Sequence, residues 1–410
     1  MKKCIIAAAL VIALCMSMLA ACAGNGTTPP AGGTATPGGG SNTPAGGNDA
    51  PVKVGILGPF TGEVAQYGIA VRNGAMLYIE QYNAAGGLNG KQIEPIEYDE
   101  EGDSIKALTG YNSLLDQGVT AIIGSVTSTP TIAVVPEAFA DNMPMITASA
   151  TASSVTYNDE EDVVYTNMFR SCFIDPFQGE KMADFAAGEL NAQTAAVIFN
   201  TGDDYSIGLK DAFLEKAAAI GLEVVANEGY AKGAVDFQSQ LTNIAAKKPD
   251  VLFCPDYYEV IALLSSQARA AGVSATLLGA DGWDTVVKIM SDRAPVEGAY
   301  YCSGYSIEDT TPMVQEFLGD YQAKYGQEPS MFAAQGYDAA MILVAALEKA
   351  EAAGGQAGSD GYRTDVIAAL KATDMECVTG HVTYDQYNNP VKSAVIINIY
   401  NGEAKFWGKY

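Results

Sequence analysis

From Val52 onward, short apolar runs and amphipathic, alanine-rich stretches alternate, and this alternation limits the fold more than any other property of the chain. The expected strands are Val52–Leu57, Gln92–Tyr98, Ala121–Gly124, Met145–Ala148, Ala195–Asn200, Glu223–Tyr230, Val251–Cys254, Thr276–Gly279 and Ala299–Ser303. The expected helices between them are Ile69–Ala85, Ser104–Gln117, Thr131–Ala140, Pro176–Leu190, Ile207–Ile220, Phe237–Ala246 and Tyr258–Ala271, with glycine stops at Gly86-Gly87, Gly118, Gly221 and Gly272. Repeated βα units of this kind give parallel sheets with helices on both faces. The pattern restarts at Ala195–Asn200, where Thr201-Gly202-Asp203-Asp204-Tyr205 mirrors the loop after Val52–Leu57. Two similar α/β lobes are therefore expected, and about 360 folded residues exceed what one core usually holds. After Tyr305 three helical stretches follow, then a strand-rich tail (His381–Asp385, Ser393–Tyr400, Ala404–Trp407) that reads as a terminal meander.

The N-terminus lies outside this pattern. Lys2 and Lys3, the apolar stretch Ile5 to Met18 and Leu19-Ala20-Ala21-Cys22 have the layout of a signal peptide. The cysteine after Leu-Ala-Ala resembles a bacterial lipobox, which implies cleavage before Cys22 and lipidation of its thiol; a plain secretory peptide is the alternative. The expected processing is a signal over 1–21 and a lipidated Gly/Pro/Thr/Ala/Ser/Asn-rich tether over 22–51. Such a tether has a root-mean-square reach of roughly 30 Å, and acyl chains on Cys22 would hold the protein at a membrane without spanning it.

Charge and cysteines exclude several functions. With 48 Asp+Glu against 23 Lys+Arg and no basic stripe, nucleic acid is not a partner. His381 is the single histidine, and no Cys/His cluster has metal-ligand spacing. Cys172, Cys254, Cys302 and Cys377 leave two disulfides or four buried thiols open.

In open parallel sheets, ligands bind at the carboxyl ends of the strands, so the residues there matter most. The first strand is followed by Gly58-Pro59-Phe60-Thr61-Gly62 and, before the next helix, Tyr67. That run is either an anion seat built from backbone N–H groups and a helix dipole or a plain βα turn. Later ends in the first half carry Ser125-Val126-Thr127-Ser128 and Ser149-Ala150-Thr151. In the second half they carry Asp203-Asp204-Tyr205, Asp256-Tyr257-Tyr258 and Asp281-Gly282-Trp283. Taken singly, each has a bland reading as helix cap, turn former or packing residue. Together they set hydroxyls and N–H groups against carboxylates and aromatic rings. An α-amino acid carries the matching charges: its carboxylate on Ser128, Thr151 and backbone N–H groups, its ammonium on Asp281, its side chain among tyrosines.

Val54-Gly55-Ile56-Leu57-Gly58-Pro59-Phe60-Thr61-Gly62, with Ala65-Gln66-Tyr67-Gly68 and Gly74-Ala75, resembles the start of a leucine/isoleucine/valine-binding protein, the substrate-binding component of a branched-chain amino acid ABC transporter. Asn83-Ala84-Ala85-Gly86-Gly87-Leu88-Asn89-Gly90, Asp236-Phe237 and Gln335-Gly336-Tyr337-Asp338-Ala339 extend the resemblance over residues 52 to 410. It implies a type I periplasmic-binding fold: α/β, with two doubly wound parallel-sheet lobes joined by a three-segment hinge. The implied lobes are 52–172 with 306–379, and 173–305 with 380–410. It also implies ligand contacts at Tyr67, Ser128, Ser149, Thr151, Tyr205, Tyr257 and Asp281, with Val126, Thr127, Trp283 and Phe332 as further candidates for the side-chain pocket. The resemblance departs at Asp281, where members nearest the type case carry Glu, and at Gly102 and Thr127, which replace its disulfide. No cofactor, metal or catalytic activity is implied; no Gly-x-Ser-x-Gly elbow or catalytic histidine is present. The expected protein is a monomeric, membrane-anchored, extracytoplasmic binder that delivers an amino acid, branched-chain or otherwise apolar, to an ABC permease. Alternatives are a binder of short amides, urea-like or aromatic compounds, or a ligand-sensing module of the same fold.

Overall fold

The structure, a computed structural model, describes residues 50–410. The signal peptide, Cys22 and nearly all of the tether lie outside the described residues. In chain order the first half contains β1 (Val52–Gly58), α1 (Ala65–Ala84), β2 (Ile93–Asp99), α2 (Ser104–Asp116), β3 (Ala121–Ile123), α3 (Ser128–Ala140), β4 (Met145–Thr147), the two short strands β5 (Tyr157–Asn158) and β6 (Val163–Val164), and β7 (Met168–Arg170). The second half contains α4 (Asp175–Gly188), β8 (Thr194–Asn200), α5 (Asp204–Ile220), β9 (Glu223–Tyr230), α6 (Gln238–Lys247), β10 (Val251–Phe253), α7 (Tyr258–Ala270), β11 (Thr276–Gly279), α8 (Val286–Ile289) and β12 (Tyr300–Ser303). The chain ends with α9 (Pro312–Tyr325), α10 (Met331–Ala352), α11 (Asp360–Lys371), β13 (Asp374–Cys377), β14 (Gly380–Thr383), β15 (Val395–Tyr400) and β16 (Glu403–Lys409).

A five-stranded sheet runs β2-β1-β3-β4-β7, parallel throughout. A seven-stranded sheet runs β16-β15-β12-β11-β10-β8-β9, with parallel pairings except β12–β15 and β15–β16, which are antiparallel. The architecture is thus α/β with two mainly parallel sheets, the arrangement that the resemblance implies. Its inner strands, such as β3, β4, β10 and β11, are short, mostly apolar buried runs because helices cover both faces. In the first sheet, Val54, Ile56, Ile123 and Ile146 face the side of α1 and α10, while Leu57, Ile122 and Met145 pack with Tyr111, Leu114 and Val134 on the other side. In the second, Ile198, Leu252 and Leu277 pack on the side of α6 and α7, whereas Val197, Phe253 and Leu278 meet Phe185, Leu209 and Phe213 of α4 and α5.

Two close approaches fix α1. A Cβ on Gly68 would lie 1.9 Å from the Pro59 carbonyl oxygen, so the helix packs directly on the loop before it. Further along, a Cβ on Gly74 would lie 1.9 Å from the Ala333 carbonyl oxygen and one on Gly336 2.2 Å from that of Val71. The backbones of α1 and α10 therefore touch, which only glycine permits.

Three features differ from the sequence expectation. Helix α1 begins at Ala65, four residues earlier than Ile69, so Tyr67 sits in its first turn and not in the loop. Strand β7 was not anticipated; it is three residues long and ends in a charged residue, which hides its pattern. The tail is not one meander: β14 pairs with β13, and only β15 and β16 join the large sheet. Because Cys377 pairs with Gly380, a division of the chain between 379 and 380 would cut this hairpin. All four cysteines expected to remain in the folded part are free and buried.

Candidate ligand cleft between the two sheets

Residues that follow the carboxyl ends of the two sheets touch, as where the Tyr67 hydroxyl donates to the Gly282 carbonyl, and chain segments after β7, after β12 and after β14 pass between the halves. On the first wall, hydroxyls bind the backbone of neighbouring loops. The Ser149 hydroxyl donates to the Val126 carbonyl (2.7 Å), and Ser128 Oγ accepts from the Ala152 amide (3.2 Å). Thr147 Oγ1 accepts from the amides of Ser149 (3.3 Å) and Ala150 (3.0 Å). Behind this loop lies Arg170, fully buried, whose guanidinium donates to the carbonyls of Ala150 (2.9 Å) and Ala152 (3.1 Å), on either side of Thr151.

The second wall is built from carboxylates and phenols. Asp281 Oδ1 accepts from Tyr205 Oη (2.8 Å) and Gln178 Nε2 (3.0 Å). Burial pushes the Asp281 carboxyl up to about 6, against the lowering effect of those two donors. Tyr205 stacks on Tyr257 at 4.9 Å, and Tyr67 from the first half stacks on Phe332 at 4.1 Å and meets Tyr257 edge-on at 5.9 Å. An aromatic row thus runs from Phe332 through Tyr67 and Tyr257 to Tyr205.

Several polar atoms here are buried without a hydrogen-bonding partner in the protein: Thr151 Oγ1, both carboxylate oxygens of Asp175, and Tyr257 Oη. Asp175 heads α4 and its amide donates to the Thr151 carbonyl (3.0 Å), which sets its side chain beside the Thr151 hydroxyl. Burial first, then the nearby Asp281 carboxylate, pushes Asp175 well above the usual carboxylate range; Arg170 opposes this, as does the Thr151 hydroxyl, which lies close but outside hydrogen-bonding geometry. Each unpaired buried polar atom costs about 1–3 kcal/mol, so a group of them marks a place built to receive polar groups from outside the chain.

The structure brings Tyr67, Ser128, Ser149, Thr151, Tyr205, Tyr257, Asp281 and Phe332 to this cleft. Thr127 lies at its mouth, where a cavity of about 410 Å³ is also lined by Asp203, Asp256 and Tyr257. Val126 packs on Gly58, and a Cβ there would meet its side chain at 3.0 Å. Trp283 turns away: its ring lies under Gly279, its Nε1 donates to the Cys254 carbonyl (2.9 Å), and it packs in the core beside Tyr301. The opening run is not an anion seat for a ligand. Its free amides are used within the chain, since Asp99 Oδ1 accepts from Phe60 (2.8 Å) and Thr61 (3.3 Å). Sequence reasoning missed Asp175, Gln178 and Arg170. Asp175-Pro176 reads as an ordinary helix start, and nothing local distinguishes Gln178 or Arg170.

Comparison with known proteins gives a consistent result. Residues 51–402 match the family described as periplasmic binding protein. A leucine-, isoleucine-, valine-, threonine- and alanine-binding protein of Pseudomonas aeruginosa is 30% identical over 338 residues, 82% of this chain and 86% of that protein. The crystal structure of a leucine binding protein, LivK, from Thermotoga maritima superposes with a TM-score of 0.79 at 30% identity, covering 87% of this chain and 98% of that one. The branched-chain amino acid transporter substrate binding protein LivJ from Streptococcus pneumoniae, in complex with isoleucine, gives 0.78 at 30% identity over the same shares.

Proposed function

Because the chain belongs to the periplasmic binding proteins, among the substrate-binding proteins of branched-chain amino acid ABC transporters, we propose that it captures an apolar α-amino acid between its two halves and hands it to a membrane permease. The family binds solutes and is not enzymatic. One observation carries the reading: the hydroxyl loop Ser149–Thr151, backed by Arg170, and the carboxylate of Asp281 both neighbour the buried Asp175, so one zwitterion can reach both walls. The ligand carboxylate is held by Ser128, Thr151 and the backbone at Ser149. The ammonium goes to Asp281, with Asp175 beside it, and the side chain lies in the aromatic row of Tyr67, Tyr205, Tyr257 and Phe332. Aspartate at 281 is one methylene shorter than glutamate, and Gln178 and Tyr205 hold it at a fixed position.

The two lobes follow the two sheets, with the three chain passages as hinge. The ligand binds one lobe first, and closure then removes both charges from water, where charge-assisted hydrogen bonds count most. The protein acts as a monomer on the outer face of the cell membrane, anchored through lipid on Cys22. Leu19-Ala20-Ala21-Cys22 supports this, and radiolabelled palmitate incorporation lost on Cys22→Ser tests it.

The main test is calorimetric. Ligand-stripped protein is titrated with L-leucine, L-isoleucine, L-valine, 4-methylpentanoate and L-leucinamide. The amino acids bind, and saturation at about 100 times Kd adds roughly 2.7 kcal/mol of stability. If 4-methylpentanoate binds as tightly as L-leucine, Asp281 does not hold an ammonium group and the amino-acid reading fails.

A further inference from the structure

Three helices that point into the cleft, α1, α7 and α10, lack side-chain caps of their own. The first four N–H groups of a helix have no partner inside it, and a side chain just before the helix usually supplies one. At α1 the preceding residue is Val64, at α7 it is Tyr257 and at α10 it is Ser330; none makes a side-chain cap bond. Their partners come from across the cleft. The Gln66 amide of α1 donates to Tyr258 Oη (3.4 Å), and the Tyr258 amide of α7 donates to Tyr67 Oη (3.1 Å). Each tyrosine thus caps the helix that carries the other, and the two rings meet edge-on at 4.9 Å. The Tyr67 hydroxyl in turn donates to the Gly282 carbonyl, beyond β11. At α10 the Met331 amide donates to Asp284 Oδ2 (2.7 Å), which comes from the second half and places a carboxylate at a helix N-terminus. A further contact crosses the cleft at α5, where Thr129 Oγ1 accepts from the Asp204 amide (3.3 Å), although this helix also has its own cap in Asp203.

We propose that the closed state is held by an exchange of helix caps between the halves, with the reciprocal Tyr67–Tyr258 pair at its centre and Asp284 on α10 as its second point. Tyr258 and Asp284 are positioning residues: they hold the halves together and leave ligand contact to others. Tyr67 does both, because its ring stacks on Phe332 in the aromatic row while its hydroxyl reaches two backbone groups of the other half. Its ring cannot swing outward without breaking the cap of α7, so the pocket keeps a fixed depth once closed. The inference rests on the proposed function only in treating the halves as movable.

The experiment uses Tyr258→Phe, which keeps the buried ring and removes one cap, and Asp284→Asn, which keeps the shape and removes the charge. Circular dichroism checks the fold of both. With L-leucine as probe, stopped-flow dissociation speeds up about fivefold in each and more than tenfold in the double variant, while association changes less than twofold. Equal dissociation rates in all four proteins would overturn the proposal. A second arm reads the cap itself: with L-leucine saturating, hydrogen exchange at the Gln66 amide is faster in Tyr258→Phe than in wild type, and identical exchange overturns the latch. If L-leucine fails to bind wild type, the amino-acid reading fails by itself, and both arms are then run with benzoate as the probe to decide the latch.

Discussion

The two walls of the cleft recognise charge by different means. The first uses neutral hydroxyls and amides already fixed by hydrogen bonds to the backbone, as at Ser128 and Ser149. The second uses ionisable groups, with Asp281 and Asp256 each accepting from a phenol and Asp203 from a backbone amide. Fixed dipoles do not titrate over the ordinary pH range; buried carboxylates do. The first wall should therefore give a constant contribution, and the second a contribution that depends on pH and is lost in large steps.

The largest break in this contrast is Asp281→Asn. Removing one partner of a buried, hydrogen-bonded charge pair costs about 2–5 kcal/mol, so calorimetry should show L-leucine affinity falling by roughly 30-fold to a few thousand-fold. On the opposite wall Thr151→Val removes a hydroxyl aimed at a charged group, worth about 1.5–3 kcal/mol, and the same titration should show a smaller loss. If Thr151→Val costs more than Asp281→Asn, the assignment of charges to walls is reversed.

Acid gives the next effect. Asp281, pushed up to about 6 by burial, is ionised above that value and neutral below it. Affinity for an ammonium group should be flat above about pH 7 and should fall roughly tenfold by pH 5, one proton being taken up for each ligand released. Titrations across this range check it, and the slope should vanish in Asp281→Asn.

The smallest effect lies away from both charges. Glu100, whose oxygens accept from the Ser125 hydroxyl (2.8 Å) and the Gly102 amide (2.7 Å), is pushed by burial from 4.5 up to about 7. The native state then holds this proton more tightly than the unfolded chain. Its contribution is favourable at low pH and is lost as pH rises toward 7. Glu100→Gln should flatten the rise in melting temperature on going from pH 8 to pH 5 without altering the pH dependence of binding.

Much of this was legible in the sequence, for reasons that differ by region. Strand–helix alternation is written in residue order, so both sheets could be read, and strand ends follow from strands; Ser128, Thr151, Tyr205 and Asp281 were reached that way. What could not be read depends on rotamers and on partners far along the chain. Trp283 follows Asp281 by two residues, yet packs under Gly279. Asp99 fills the anion seat after β1 from 39 residues away. Asp175 becomes a cleft residue only because the chain crosses between the halves just before α4. The pairing of β14 with β13, against the expected meander, likewise rests on a short hairpin whose strands carry little pattern.

The backbone contact between α1 and α10 at Gly74 and Gly336 has an evolutionary consequence. Tyr67 and Phe332 stand on these two helices, near the ends that face the cleft. The crossing works as a spacer gauge: its thickness, set by two missing side chains, fixes the gap between two rings that never touch it. Solute preference can thus drift through changes at residues outside the pocket, and a survey restricted to pocket-lining positions would miss the cause.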